Sequence, residues 1–359
     1  MFCNSKYLKI MFCIFLAIFQ CSFSQTTPSN RIKFLKLLGK FPSPPPLQID
    51  TLEKVQLENG IRYKIEFTSE FEDTKFDRSI DRIKAYLFIP KHKFGEKLPA
   101  IIAIHQDGER SDIGKLEPAG IEGSSDQFYG LELFKKGYVV ICPDRFPHGE
   151  RRKLKNVSPQ MPPMMQNISL WMRWTGQLIL SGRTYLGKEV YDLMRATDVL
   201  CSLDFVAKER IGAIGHSAGG NILVYFMFVD KRIKAGVSSC GFFELLDYYN
   251  DNNKNFANAA FAIPGLAQIG KSADYLSYIA PRPLLFTRGL WEYGKENEQE
   301  KMLSEEHVSK TRNIETFVRK SYKYLNANDK LKVIYFEGGH SFPGEVRETA
   351  YKFLDNYLK

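Results

Sequence analysis

The stretch from Ile211 to Val229 constrains the fold more than any other part of the 359-residue chain: an apolar run enters Gly215-His216-Ser217-Ala218-Gly219 and a second apolar run leaves it. G-x-S-x-G between a strand-like and a helix-like segment describes a sharp turn that holds a serine hydroxyl above the edge of a sheet. The flanking glycines let neighbouring backbone approach without a Cβ clash. A helix that starts directly behind Ser217 also aims its first N–H groups and its positive dipole end at the place where an oxyanion would form. Ser217 is therefore the candidate nucleophile, set against the plainer reading of a glycine-rich turn with an idle serine.

Around this turn the chain reads as buried apolar runs alternating with helices, the pattern of a parallel sheet. The runs are Ala100–Ile104, Tyr138–Cys142, Ile211–Ile214, Ala235–Ser239, Leu284–Thr287 and Leu331–Phe336, with helices expected over Gln127–Lys136, Val190–Val206, Ile222–Val229, Ile314–Leu325 and Val346–Leu358. Val55–Leu57 and Ile61–Phe67 flank Asn59-Gly60, which predicts a hairpin with a type I′ turn, and Ile83–Ile89 predicts a further strand. The expected architecture is α/β, an α/β-hydrolase fold with a mostly parallel eight-stranded sheet and helices on both faces. Two long insertions, about 151–186 and 242–270, follow strand ends, where open α/β sheets place their ligand crevice. They read as cap-like loops on one catalytic domain spanning 51–359.

Residues 1–24 read as a cleaved signal peptide: Lys6 and Lys9 precede the apolar run Ile10–Phe19, and Ser22-Phe23-Ser24 supplies small residues before Gln25. That run is shorter than the roughly 20 residues a bilayer span needs. Lipid anchoring at Cys21 is not expected, because Ile18-Phe19-Gln20 lacks the small residues that precede a lipidated cysteine. The expected address is secreted or periplasmic, without stable membrane insertion. Residues 25–50, with Phe41-Pro42-Ser43-Pro44-Pro45-Pro46, read as an N-terminal arm with a polyproline stretch. Loss of the first 24 residues takes two lysines and no acid, lowering the net charge from +9 to +7. The excess is spread along the chain with no basic run interleaved with aromatics, which argues against a nucleic-acid partner. Cys142, Cys201 and Cys240 would remain, an odd number without close spacing, so neither a disulfide framework nor a zinc site is expected.

A serine needs a base, and the base an orienting acid. In the chain order serine, acid, histidine, His340 in Gly338-Gly339-His340-Ser341 past the last strand is the candidate base, while His307 lies in a charged helical segment. Glu292, three residues past Gly289, is the candidate acid, with Glu244 or Asp247 as alternatives. The N–H of Ala218 and that of Gln106 or Asp107 are candidates for the oxyanion hole, and His105 reads as a structural residue of that loop. Trp171, Trp174 and Met164 in the first insertion read as pocket walls that suit an acyl group or a sugar face.

From about Leu98 onward the chain resembles the dienelactone hydrolase and acetyl xylan esterase branch of the α/β-hydrolases, in LPAIIAIHQDG, GKLEPAG, FKKGYVVICPDRFPHGERR, GHSAGG, IAPRPLLFTRG and GGHSF. The resemblance implies a secreted serine esterase free of metal and cofactor, acting on a small-molecule or oligosaccharide ester, often an acylated carbohydrate. Two positions depart from it: the family usually has Asp where Glu292 stands, and dienelactone hydrolases proper use a cysteine where this chain has Ser217. Two other readings stay open. One is a peptidase of the prolyl oligopeptidase type, disfavoured by the lack of a preceding propeller, and the other a hydrolase-fold binding protein that has lost catalysis.

Overall fold

A computed structural model describes residues 28–71, 80–108, 110–154, 157–250 and 258–359, with the side chain of Met164 outside that set. The proposed signal peptide, Cys21 and part of the Asn-rich stretch of the second insertion lie outside the described residues. Among those described, one sheet has nine strands: β1 (Asp50–Leu57), β2 (Gly60–Glu70), β3 (Asp81–Pro90), β4 (Leu98–Ile104), β5 (Val139–Pro143), β6 (Val206–His216), β7 (Ile233–Ser239), β8 (Leu284–Gly289) and β9 (Leu331–Phe336). Their spatial order is β1-β2-β3-β5-β4-β6-β7-β8-β9. β1 to β3 are antiparallel, β3 meets β5 antiparallel, and the pairings from β5 through β9 are parallel. Each of the nine runs named above, both hairpin arms included, is found as a strand, so this is the α/β-hydrolase sheet with nine strands where eight were expected; β1 lies at its edge with a largely exposed surface. The hairpin turn also differs. It is made by Glu58 and Asn59, with Leu57 opposite Gly60, and neither residue has the positive φ that type I′ requires. Gly60 is needed for another reason: a Cβ there would lie 2.1 Å from the Ile89 carbonyl oxygen.

The helices divide between the two faces. One face carries α1 (Pro28–Leu37), α4 (Tyr185–Cys201), α5 (Ala218–Val229), α8 (Ser272–Ser277) and α9 (Glu298–Tyr324), and the other α2 (Tyr129–Lys135) and α10 (Gly344–Leu358). The remaining helices are α3 (Pro163–Leu180), α6 (Leu245–Asn250) and α7 (Leu266–Ile269). Each face has its own apolar core, because every strand from β4 to β8 is buried on both sides. The arm is more ordered than its prolines suggested. It begins as α1, buries Phe34 and Leu38, and is held by Tyr275 Oη donating to Phe34 O at 2.9 Å and Thr184 Oγ1 to Leu38 O at 2.8 Å.

The first insertion is not a loop but is built on α3, which starts at Pro163 in the first turn, where a missing N–H costs nothing. Leu170, Trp171, Trp174 and Leu178 recur at helical spacing and are buried against Phe146, Tyr185 and Ala260 as a small separate core. Helix α9 starts 16 residues before the expected position, since its charged first half shows no apolar stripe. No helix among the described residues is long and apolar enough to cross a membrane.

Candidate active site

Ser217 is the joint between β6 and α5, at φ 53° and ψ −126°. A non-glycine residue in that region carries strain on the order of 1–3 kcal/mol, held by what surrounds it. Its N–H donates to Ser239 O at 2.8 Å and its carbonyl accepts from Asn221 N at 2.9 Å. The glycines on either side are required by contact: a Cβ on Gly215 would meet Gly219 C at 2.6 Å, and one on Gly219 would meet Ile104 O at 2.3 Å. The turn is thus pressed against the end of β4, beside the loop 105–108.

His340 follows β9 and brings Nε2 to 2.8 Å from Ser217 Oγ and Nδ1 to 3.3 Å from Glu292 Oε2. The loops that carry the base and the acid are joined through their backbones: Leu290 N donates to Phe336 O at 3.0 Å and Trp291 N to Gly338 O at 2.9 Å. A proton on Nδ1, facing the carboxylate, leaves Nε2 free to accept from the serine. Arg288 reaches both oxygens of Glu292, at 3.0 and 2.9 Å, and His307 Nε2 stands 3.2 Å from Oε2. Burial alone would raise the Glu292 carboxyl, but Arg288, His307 and His340 together hold it well below the ordinary carboxylate range. Glu292 is therefore a fixed negative charge at any working pH.

The alternative acids do not reach His340 in this way. Glu244 accepts from Ser272 N and Oγ, both at 2.8 Å, and from Ala273 N at 3.0 Å, so it serves the first turn of α8. Asp247 lies on α6 and lines a cleft on the far side of His307.

The expected oxyanion donors lie on two rigid pieces. Ala218 is the first residue of α5, where N–H groups have no acceptor within the helix. Gln106 and Asp107 follow β4, and their side chains turn away: Gln106 Nε2 donates to Glu117 at 3.1 Å, and Asp107 Oδ1 accepts from Arg145 Nη1 at 2.8 Å. Arg145 Nη1 also donates to His105 O at 3.1 Å and its backbone N–H to His105 Nε2 at 2.9 Å, so Nδ1 of that ring carries the hydrogen and meets Gln106 O at 2.7 Å. His105 is thus a bracing residue of the loop. His148 adds a contact to Asp107 at 3.1 Å, and its ring centroid lies 5.7 Å from that of Trp171.

Trp171 and Trp174 do not sit as the expected walls of an open pocket. They are 5% and 6% exposed, packed within the α3 core, with Trp174 edge-on to Phe146 at 4.9 Å. The Met164 side chain lies outside the described residues. Spacing could not separate a packed indole from a lining one.

One other histidine and one cysteine, His216 and Cys240, lie beside the site. His216 is buried behind His340, 4.9 Å between ring centroids, with Nδ1 3.0 Å from Ser239 Oγ. Burial, with the nearby His340, lowers its pKa to about 3. Cys240 is a buried free thiol, as is Cys142, while Cys201 is free and partly exposed. Among the described residues, Cys240, Glu292 and His340 have potential metal-ligand atoms within 4.8 Å of one another. Arg288, already on both oxygens of Glu292, places a positive charge there that opposes a cation.

The buried histidines set an expectation for acid stability. Burial lowers His105, His148 and His216 below the ordinary 6.5. Above that pH folded and unfolded chains both hold these rings neutral; below it only the unfolded chain takes up the protons, so stability is lost as pH falls. Each ring contributes up to about 1.4 kcal/mol per pH unit. The urea midpoint is expected to decline from about pH 6.5 downward, opposed in part by Glu189, whose carboxyl is raised to about 8 by burial; a midpoint unchanged between pH 7 and pH 5 would contradict the buried neutral state.

Comparison with known proteins bears on the fold. A model of the prolyl oligopeptidase family matches residues 181–291, a stretch that contains Ser217 and stops one residue before Glu292. A Bacillus subtilis protein named as a hydrolase, YtaP, is 27% identical over 333 residues, which make up 92% of this chain and 99% of that protein. A Bacteroides fragilis structure described as an acetyl xylan esterase superposes with a TM-score of 0.65 at 19% identity, over 86% of this chain and 74% of the other. A glucuronoyl esterase from Solibacter usitatus gives 0.59 at 12% identity, over 92% and 93%.

Proposed function

The chain has the α/β-hydrolase fold, and from that premise we propose that it is a serine carboxylic-ester hydrolase working through an acyl-enzyme, without metal or cofactor. The observation that carries the reading is the relay Ser217 Oγ to His340 Nε2 at 2.8 Å and His340 Nδ1 to Glu292 Oε2 at 3.3 Å. His340 takes the serine proton as Ser217 attacks the ester carbonyl, and the N–H of Ala218 with that of Gln106 or Asp107 receives the oxyanion. His340 then protonates the leaving alcohol, and water activated by the same ring releases the acid. Glu292 stabilises the imidazolium that each step creates.

The substrate class we propose is an acylated carbohydrate, with acetyl as the acyl group. Support comes from the acetyl xylan and glucuronoyl esterases among the proteins of like fold and from the N-terminal segment 1–24, whose composition fits export to where such polymers occur. A panel of acetylated xylo-oligosaccharides, feruloylated sugars and methyl glucuronates tests it: the acetyl esters are expected to show the highest kcat/KM, and a preference for the methyl glucuronates would reassign the substrate.

A second reading, a serine peptidase, is favoured by the family match over 181–291. The same nucleophile geometry serves both reactions, so peptide p-nitroanilides belong in the panel. Peptide turnover above ester turnover would make the peptidase reading the better one.

A further inference from the structure

His307 enters the site from a helix that looks unrelated to it. Its Nε2 is 3.2 Å from Glu292 Oε2, the oxygen that also meets Arg288 Nη1 at 2.9 Å and His340 Nδ1 at 3.3 Å. The position is held from both ends. Ser304, one turn earlier on α9, accepts from Tyr293 N at 3.0 Å and donates to Gly294 O at 3.0 Å, which ties the helix to the acid's own loop. Asn297 caps α9 by accepting from Glu300 N at 2.9 Å. The Tyr293 ring stands edge-on to His307, centroids 5.3 Å apart. On its other side His307 forms part of the wall of a cleft open to solvent, lined among others by Phe242, Phe243, Asp247 and Tyr248.

We propose that His307 is a positioning residue for this reaction: it shares the acid's Oε2 with His340 and so sets both where the carboxylate points and how much of its charge the base feels. The proposal rests on the function proposed above. An oxygen already bound by Arg288 keeps a narrow range of side-chain positions for Glu292, and a second N–H from the α9 side narrows it toward His340. That N–H also shares the charge that the carboxylate presents to His340, so its loss changes what the base meets. The groups facing His307 are Glu292, Tyr293 and Arg288 from β8 and its loop, His340 from the β9 loop, Glu244, Asp247 and Tyr248 from the segment after β7, and Glu306 and Lys310 on its own helix.

Two variants separate a donor from a packing role. Glutamine places its Nε2 where the histidine Nε2 stands, whereas asparagine is too short to reach Oε2, and both are polar and neutral. On p-nitrophenyl acetate, with active sites counted by titration, His307→Gln is expected to keep kcat within about threefold of wild type. His307→Asn is expected to lose about tenfold in kcat with KM little changed, the loss of one polar contact to a charged group. Equal kcat for wild type and His307→Asn overturns the proposal, as does a tenfold loss in both variants, which marks a packing role. A wild-type protein with no turnover, labelling or acyl-enzyme overturns the functional reading itself and this proposal with it.

Discussion

Ser217→Ala and His340→Ala are each expected to lower kcat on an ester substrate by as much as about 10⁶-fold, and the double variant to be scarcely worse than either alone. The serine hydroxyl and Nε2 are 2.8 Å apart and form one unit for moving one proton. Without the base the serine is a neutral alcohol, and without the serine the base has only water to activate. The residual rate, on the order of 10³ to 10⁴ over water, is owed to binding and to the oxyanion donors, which neither substitution touches. Side-chain removal at these positions costs little stability: His340 is 42% exposed, and Ser217 loses strain nowhere else in the chain by becoming alanine, since the backbone conformation stays. Losses that multiply in the double variant would show that the two residues act independently.

Glu292→Gln is the second large effect, and here activity and stability both change. Turnover is expected to fall by about 10³ to 10⁴, because the amide can present its N–H to His340 and favour the wrong tautomer, and because the imidazolium loses its counter-charge. The fold is affected as well. Arg288 and Glu292 are 5% and 6% exposed, so removing the acid leaves a desolvated guanidinium without its partner, at a cost of about 3–5 kcal/mol. kcat must therefore be measured per folded active site, beside a thermal or urea midpoint. Glu292→Asp keeps the charge but withdraws it by about 1.5 Å, and an intermediate turnover is expected. Glu244→Gln is the control: its oxygens serve the backbone of α8, so it is expected to lower stability by about 0.5–2 kcal/mol and leave kcat unchanged. Lost turnover in Glu244→Gln or Asp247→Asn, with native turnover in Glu292→Gln, would move the acid to the segment after β7.

The features that sequence makes legible are those whose chemistry sits at strand ends between glycines. Gly215 and Gly219 mark a backbone approach that no side chain permits, and Gly289 and Gly338-Gly339 mark the two loops that meet in front of it; residues 217, 292 and 340 are found by following them. The parallel strands β4 to β8 are legible because they are largely buried on both faces. The edge strand β1 shows no such run, since its residues face solvent, and is legible only as the first arm of the Asn59-Gly60 hairpin. Pro162, Pro163 and four methionines disguise α3 as a loop, although the spacing of Leu170, Trp171, Trp174 and Leu178 is helical. The same indoles show a limit of residue type as a guide: Trp suits a sugar face and a small core equally well.

His307 was hidden for a different reason. Its helix is charged through the first half, and what brings it to Glu292 is the tight return of the chain between Tyr293 and Asn297. One signal was available: Ser304, Thr311 and Val318 recur every seven residues on the buried side of α9, and His307 lies three after the first and four before the second, on that same face.

Covalent labelling with a fluorophosphonate, followed by mass spectrometry of the intact chain and its peptides, tests the serine hydrolase reading most directly. One adduct per chain is expected, on Ser217, formed in step with the loss of p-nitrophenyl acetate hydrolysis and nearly abolished in His340→Ala. Turnover that survives full labelling of Ser217, or an adduct confined to another residue, would contradict it.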